Sequence, residues 1–143
     1  MSKISKHFDL REFVSEVTWK TYGEKSIWFI DPRLITLAEF VREWFKAPMT
    51  INDWSTGGGF QNRGSRRPKS TVGASESQHR FGRAIDINIQ GFTPQQIYKI
   101  IIGNEKAFMD AGLTTMENIA DTPTWNHLDI RQTNLSQILI VNR

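Results

Sequence analysis

The apolar residues near the start of the chain recur at helical spacing. Asp9 and Glu12 match the capping-box pattern found at the start of a helix. The apolar positions that follow with a period of about 3.6 residues are Leu10, Phe13, Val14 and Val17. The pattern predicts a first helix that begins at Asp9.

A second helix has clearer limits. Asp31 is a suitable N-cap, Pro32 fits the first helical position, and Pro48 stops the helix. Its apolar stripe consists of Leu34, Leu37, Ala38, Val41, Trp44 and Phe45. A stripe of this width predicts a helix that packs one face against the core.

Alternation with period two marks the strands, which lie mostly in the second half of the chain. In segment 83–89, three isoleucines fall on one face and Asp86 falls on the other. Further strands are predicted at 49–54, 113–117, 125–131 and 138–141, and further helices from Pro94 and at 105–111. Helices followed by strands predict an α+β fold. We expect one domain, residues 1–143, with N-terminal helices packed on a small antiparallel sheet.

The composition is that of an ordinary globular protein, with 38% hydrophobic and 23% charged residues in 143. No apolar run approaches the roughly 18 residues of a membrane helix. No apolar stretch follows the first lysines either, so neither a membrane span nor a secretory signal is expected. Without cysteine, disulfides and thiolate zinc sites are excluded. Any metal must be bound by carboxylates and by the histidines, which are His7, His79 and His127.

The net charge of +3 is modest, and basic residues cluster in one run, Arg63–Lys69. The run belongs to a glycine-rich stretch, 55–75, which predicts a long surface loop. A solvated loop is the simplest interpretation of its charge. Nucleic-acid binding is a weak alternative, because the run lacks interleaved aromatic residues. We therefore expect no nucleic-acid partner.

Two short segments, 77–86 and 125–131, hold most of the candidate chemistry. If the second is extended, His127 and Asp129 share a face about 7 Å apart, from the ~3.3 Å rise per residue. In the first, Asp86 alternates with isoleucines, where a carboxylate is costly unless it is paired or bound to a metal. With His79 this gives two nitrogens and one carboxylate, which suits zinc better than magnesium or calcium and leaves a fourth position open. Spacing alone also allows ordinary buried histidines.

The same two segments carry a recognisable motif. It consists of Ser77-x-His79-x-x-Gly82-x-Ala84-x-Asp86, followed about forty residues later by Trp125-x-His127. The motif closely resembles that of the zinc D-alanyl-D-alanine carboxypeptidase and L-alanyl-D-glutamate endopeptidase family. This family includes many phage endolysins and shares its metal-site fold with the lysostaphin group and the hedgehog signalling domain. The resemblance covers roughly residues 7–131, including segments 7–13, 51–54 and 57–66.

The resemblance implies a role for each matching residue. His79, Asp86 and His127 match the ligands of one zinc ion per chain, carried by the sheet. Ser77 matches a serine that can steady His79. Arg66 matches an arginine that can neutralise a substrate carboxylate or a developing oxyanion, although it also fits a solvated basic loop.

The chain departs from the family at the catalytic acid, which usually stands three residues before the second histidine. Thr124 occupies that position and cannot act as a base at neutral pH. The candidates that remain are Asp129 and Glu117, because Asp121 fits a turn better. We favour Asp129 slightly, since the strand pattern places its side chain on the same face as His127. Asp129 could instead pair with Arg131 or Arg66, and Glu117 could be exposed.

The resemblance implies a zinc metallopeptidase that hydrolyses peptide bonds next to a D-amino acid in the stem peptide of peptidoglycan. A phage lysin made in the cytoplasm and acting at the cell wall, or a virion-associated lysin, would fit the expected lack of a signal peptide. A peptidase-like wall-binding or virion structural domain without activity is the alternative that Thr124 suggests. We expect a monomer with no membrane partner.

Overall fold

The start of the chain folds as two short pieces instead of one helix. In the computed structural model, which describes residues 2–67, 72–74 and 76–143, the Asp9 capping box is present but begins only a 3-10 turn, Leu10–Glu12. Helix α1, Glu16–Tyr22, then starts anew with Ser15 as its N-cap. The prediction of one continuous helix is wrong here, because the Ser15 cap interrupts the backbone; Val17 is 72% exposed. A further 3-10 segment, Gly23–Phe29, follows.

Helix α2, Pro32–Phe45, confirms the second predicted helix. The Asp31 side chain accepts a hydrogen bond from the Arg33 backbone N–H, and Lys46 ends the helix in the left-handed conformation, with φ of 52°. The stripe faces the core, with one correction: Trp44 is 40% exposed, at the edge of the stripe, with its ring centroid 5.0 Å from that of Phe108.

In the described part of the chain, five strands form one sheet in the order β1-β2-β4-β3-β5. The strands are β1 (Met49–Thr50), β2 (Ala84–Ile89), β3 (Thr115–Glu117), β4 (Asn126–Asp129) and β5 (Leu139–Val141). The neighbours are antiparallel except β3 and β5, which are parallel. The α+β prediction is confirmed, and the sheet is mixed at its β5 edge. The strand predicted at 49–54 is shorter, because a 3-10 turn begins at Trp54.

The apolar face of the sheet packs against the helices. Helices α3 (Pro94–Gly103) and α4 (Glu105–Asp110) follow β2, and α3 begins with a Thr93–Gln96 capping box. The fully buried side chains of this core include Leu34, Leu37, Ile85, Ile87, Ile97, Ile101, Phe108 and Leu128. Among the described residues, none of the helices combines the length and the hydrophobicity that crossing a bilayer requires.

The register of the central strands aligns three polar residues on the other face. Asp86 of β2 pairs directly with His127 of β4. Thr115 pairs with Asp129 across β3 and β4, and the same antiparallel register brings Glu117 opposite His127. Asp86, His127 and Glu117 therefore form a row across β2, β4 and β3.

A tight turn carries His79 onto this face. It is the 3-10 turn Gln78–Phe81, closed by Gly82 with φ of +66°. A Cβ at Gly82 would lie 1.9 Å from the Phe29 carbonyl oxygen, so both the φ angle and the close packing require glycine. Positions 68–71 and 75 of the loop predicted at 55–75 lie outside the described residues. They include the end of the Arg63–Lys69 run.

Candidate metal centre

Three side chains that are distant in sequence converge beside the sheet. Asp86 Oδ1 lies 3.2 Å from His79 Nε2 and 3.1 Å from His127 Nδ1. All three residues are buried, and their candidate ligand atoms lie within 4.8 Å of one another. The group that the sequence predicted is therefore assembled, and it could hold a metal ion.

Hydrogen bonds on the far side of each imidazole fix which nitrogen faces Asp86. His79 Nδ1 lies 2.9 Å from the Gly64 carbonyl oxygen, and His127 Nε2 lies 2.8 Å from Asp129 Oδ2. These oxygens only accept hydrogen bonds, so both nitrogens donate. In the neutral rings the lone pairs then point at Asp86, and three electron-rich atoms meet, an arrangement that needs bound protons or a cation.

The spacing of these atoms suits a small cation. Ligands at about 2.0–2.1 Å from a tetrahedral zinc ion stand about 3.3 Å from one another. The Asp86 oxygen is 3.2 Å and 3.1 Å from the two imidazole nitrogens, close to that separation. The donor set of two imidazoles and one carboxylate fits such an ion, with all three candidate ligand atoms within 4.8 Å of one another.

Burial and charge set the protonation of the centre. Burial opposes charge on His127, but hydrogen bonds to Asp129 and Asp86 outweigh it and raise its pKa from 6.5 to about 9. Burial would also raise the pKa of Asp86, yet the charge of His79 and the hydrogen bonds from both imidazoles hold it well below its usual range. These contacts favour an anionic Asp86 and a protonated His127 in the metal-free protein.

Asp129 does not face the centre. It is fully buried, and it binds His127 through Nε2, the nitrogen opposite the one that faces Asp86. Its Oδ1 also accepts hydrogen bonds from the Arg131 backbone N–H and Nε, at 3.2 Å and 2.9 Å. Burial would raise the pKa of Asp129, but hydrogen bonds from His127 and Arg131 lower it. The predicted alternative in which Asp129 pairs with Arg131 is therefore the one observed. In this position Asp129 is better located to orient His127 than to abstract a proton.

Glu117 stands on the metal-facing side of His127. Its Oε1 lies 3.6 Å from His127 Nδ1, and its side chain is 14% exposed. It is near the group yet outside the set of three converging ligands. Thr124 is exposed, and its backbone carbonyl accepts a hydrogen bond from the Asn88 side chain at 2.9 Å. Glu117 is therefore the carboxylate best located to act beside a bound ion.

The Arg66 side chain is buried against the centre. This burial disagrees with the alternative in which Arg66 belongs to a solvated basic loop. Its Nη2 lies 3.5 Å from Asp86 Oδ2, and its Nε donates to the Asn62 carbonyl at 2.8 Å. Its backbone N–H donates to the His79 carbonyl at 3.0 Å, which ties the loop to the turn. Burial lowers the pKa of Arg66. Ser77 supports the same turn, since its Oγ accepts from the His79 backbone N–H at 3.3 Å.

A cleft of about 650 Å³ leads to the centre. The charged or ligand side chains that line it are Arg66, Glu76, His79, Glu117, His127, Arg131 and Arg143. Sequence reasoning missed Arg143, because it lies outside every motif and reaches the cleft only through the parallel pairing of β5 with β3. The surplus of arginines favours an anionic ligand.

The third histidine, His7, belongs to a separate group. Its Nδ1 lies 2.6 Å from Glu39 Oε2 and 3.6 Å from Glu43 Oε1, and these residues are partly exposed. Its backbone N–H also donates to Glu39, at 2.8 Å. These contacts connect the N-terminal segment to α2.

Comparison with known proteins gave no match to a family model, a curated protein or a solved structure. The resemblance in the motif around His79, Asp86 and His127 accordingly stays a prediction. The positions of the candidate ligand atoms support a function independently of this resemblance.

Proposed function

We propose that this protein is a zinc-dependent peptidase that hydrolyses peptide bonds next to a D-amino acid in the stem peptide of peptidoglycan. The observation that carries the proposal is the convergence of His79, Asp86 and His127 at the end of a cleft, with Glu117 beside them. The substrate class rests on the resemblance of the sequence motif. A phage lysin or a virion-associated lysin would use such an activity at the cell wall.

Zinc is the metal that the donor set favours. Imidazole nitrogens suit zinc, whereas magnesium and calcium prefer shells made entirely of oxygen. Catalytic zinc sites typically have three protein ligands and one open position. His79, Asp86 and His127 supply three ligands, and one zinc ion per chain follows.

The mechanism assigns Glu117 as the general base, in preference to Asp129. When bound, zinc would lower the pKa of a coordinated water from ~15.7 towards ~7. Glu117, on the metal-facing side of His127, accepts the proton of the attacking water and returns it to the leaving amine. Asp129 keeps His127 in the tautomer whose Nδ1 is free to bind metal.

Arg66 supports the same reaction by its charge. Its guanidinium is buried beside Asp86 and borders the cleft. A fixed cation in a partly desolvated site stabilises the negative charge that develops on the carbonyl oxygen of the scissile bond. The excess of arginines in the cleft also suits the free carboxylates of a stem peptide.

The activity is tested by incubating purified muropeptides with zinc-loaded protein and measuring new amine termini. We expect release by the wild type and a loss of nearly all activity in His127→Ala, because one ligand and the link to Asp129 disappear together. His7→Ala is the matched control and should retain activity, since His7 lies in the separate group with Glu39.

The alternative function, a wall-binding or virion structural domain without activity, is distinguished by the same assay. It was suggested by Thr124 at the usual position of the catalytic acid. Glu117 supplies a carboxylate on the metal-facing side of His127, which favours the enzyme. Zinc-loaded wild type that binds muropeptides and releases no amine termini would contradict the peptidase and favour the binding domain.

A further inference from the structure

Arg143 reaches the candidate base from the edge of the sheet. Strand β5 runs parallel to β3, and Val141 pairs with Glu117. Two residues later, Arg143 Nε lies 3.1 Å from Glu117 Oε2. The parallel pair therefore brings a guanidinium to the side of Glu117 that is turned away from His127.

The two oxygens of Glu117 have different partners. Oε1 is 3.6 Å from His127 Nδ1, whereas Oε2 forms the ion pair with Arg143. Oε2 is buried and accepts no aligned hydrogen bond from the described residues. Among those residues, Arg143 is the cation that forms an ion pair with Glu117, and the charges of Arg66 and Arg131 also act on this carboxylate.

Arg143 is itself held in place. Its guanidinium lies over the Trp125 ring, 5.3 Å from the centroid, and its backbone N–H donates to Asp121 Oδ2 at 3.0 Å. The preceding Asn142 accepts a hydrogen bond from the Asn118 side chain at 3.0 Å. The anchored backbone and the Trp125 ring thus locate the guanidinium beside Glu117, with the Arg143 side chain 52% exposed.

We propose that Arg143 is a positioning residue that keeps the Glu117 carboxylate beside the metal and out of its ligand set. This inference rests on the proposed function. A carboxylate close to a divalent cation can bind it as a further ligand, and a fourth protein ligand would close the position that water needs. With Arg143 in place, Glu117 stays available to accept a proton.

Cobalt(II) in place of zinc makes this testable without activity, because its visible spectrum reports the number and type of ligands. We expect wild type and Glu117→Gln to have matching spectra, since Glu117 is not a ligand. Arg143→Ala should differ from both, because Glu117 enters the ligand set. The double variant should return to the spectrum of Glu117→Gln.

Two further variants separate charge from structure. Arg143→Lys should retain most of the wild-type spectrum, because it keeps a cation near Glu117. Arg33→Ala is the matched control and should keep the wild-type spectrum, because it removes an exposed arginine that pairs with Asp31 away from the metal centre. In the muropeptide assay, Arg143→Ala should lower kcat by about 10–100-fold.

Each outcome decides between distinct claims. An Arg143→Ala spectrum identical to that of wild type would overturn the positioning role, even if the protein is an active peptidase. The expected pattern of spectra in a protein that cleaves no muropeptide would uphold the role of Arg143 and count against the proposed substrate. A protein that takes up no cobalt would contradict the metal centre and the role of Arg143 with it.

Discussion

Besides the candidate ligand Asp86, two carboxylates lie near opposite nitrogens of the His127 ring. Asp129 binds Nε2 at 2.8 Å, and Glu117 lies 3.6 Å from Nδ1. A carboxylate behind a metal-binding histidine fixes the ring and raises its basicity. A carboxylate on the metal-facing side of the histidine can exchange protons with water bound to the metal. On the proposed function, the same chemical group thus has two roles, and the position of each carboxylate decides which one it performs.

This assignment predicts different losses in Asp129→Ala and Glu117→Gln. Asp129→Ala should weaken zinc affinity by about 10–100-fold, because His127 loses the partner that orients it. Glu117→Gln should bind zinc as wild type does and lose about 10²–10⁴ in kcat, since only the proton acceptor is removed. Competition with a chromophoric chelator measures affinity, and the muropeptide assay measures turnover. The exchanged pattern, with zinc binding weakened only by Glu117→Gln, would contradict the assignment.

Protonation of His127 predicts how the metal-free protein responds to pH. The pKa of His127 is raised in the folded state, from 6.5 to about 9, so its protonation stabilises the fold. That contribution is complete below pH about 6.5 and is lost as pH rises through about 9. The free energy of unfolding of the metal-free protein should therefore fall over this range, by roughly 3 kcal/mol.

Denaturant unfolding at several pH values measures this fall. His127→Gln should flatten the profile, because the titrating group is gone. Zinc should reverse the trend in the wild type, since a metal ion replaces the proton and binds better as the proton leaves. A metal-free wild-type profile that rises from pH 6.5 to 9 would contradict the assignment of His127.

The sequence was sufficient to predict that His79, Asp86 and His127 converge, and insufficient to predict which further acid lies beside them. The motif resemblance indicated all three residues, and the alternation of Asp86 with isoleucines added that a buried carboxylate needs a partner. Strand alternation also placed His127 and Asp129 on one face correctly. It could not say which imidazole nitrogen each acid meets, because that depends on the ring orientation. The strand pattern favours Asp129, because it predicts the face on which this side chain lies. In the structure Asp129 binds Nε2, the nitrogen of His127 that points away from the centre.

At the level of elements, the site depends on strand register. Glu117 faces His127 because Thr115 pairs with Asp129, and Arg143 approaches Glu117 because β5 is parallel to β3. Neither pairing can be read from local pattern, since a shift of one residue would turn Glu117 to the other face. The long apolar stripe of α2 was predictable for the opposite reason: its periodicity is local.

The turn that carries His79 gives a prediction at this scale. Gly82→Ala should destabilise the protein by more than about 1 kcal/mol and weaken zinc binding, because φ is positive and the new Cβ would meet the Phe29 carbonyl. Gly103→Ala is the matched control in α3. A Cβ added at Gly103 would meet no neighbouring side chain of the described residues within 4 Å, so this change should stabilise by about 0.5–1 kcal/mol. Thermal melts and zinc titrations of both variants test this, and equal effects would contradict it.

On the scale of the whole molecule, the two faces of one sheet have separate tasks. Ile85 and Ile87 face the helices and are fully buried in the core, whereas Asp86 between them faces the centre. Stability comes mainly from the apolar face, since buried hydrocarbon contributes about 25 cal/mol per Å². Removing a metal ligand should therefore abolish binding and leave a folded protein.

Zinc content tests the central claim most directly. Elemental analysis of protein dialysed against trace zinc should give one zinc per wild-type chain and none per Asp86→Ala chain, with circular dichroism confirming that both are folded. Equal zinc in the two folded proteins, or none in the wild type, would contradict a metal centre formed by His79, Asp86 and His127.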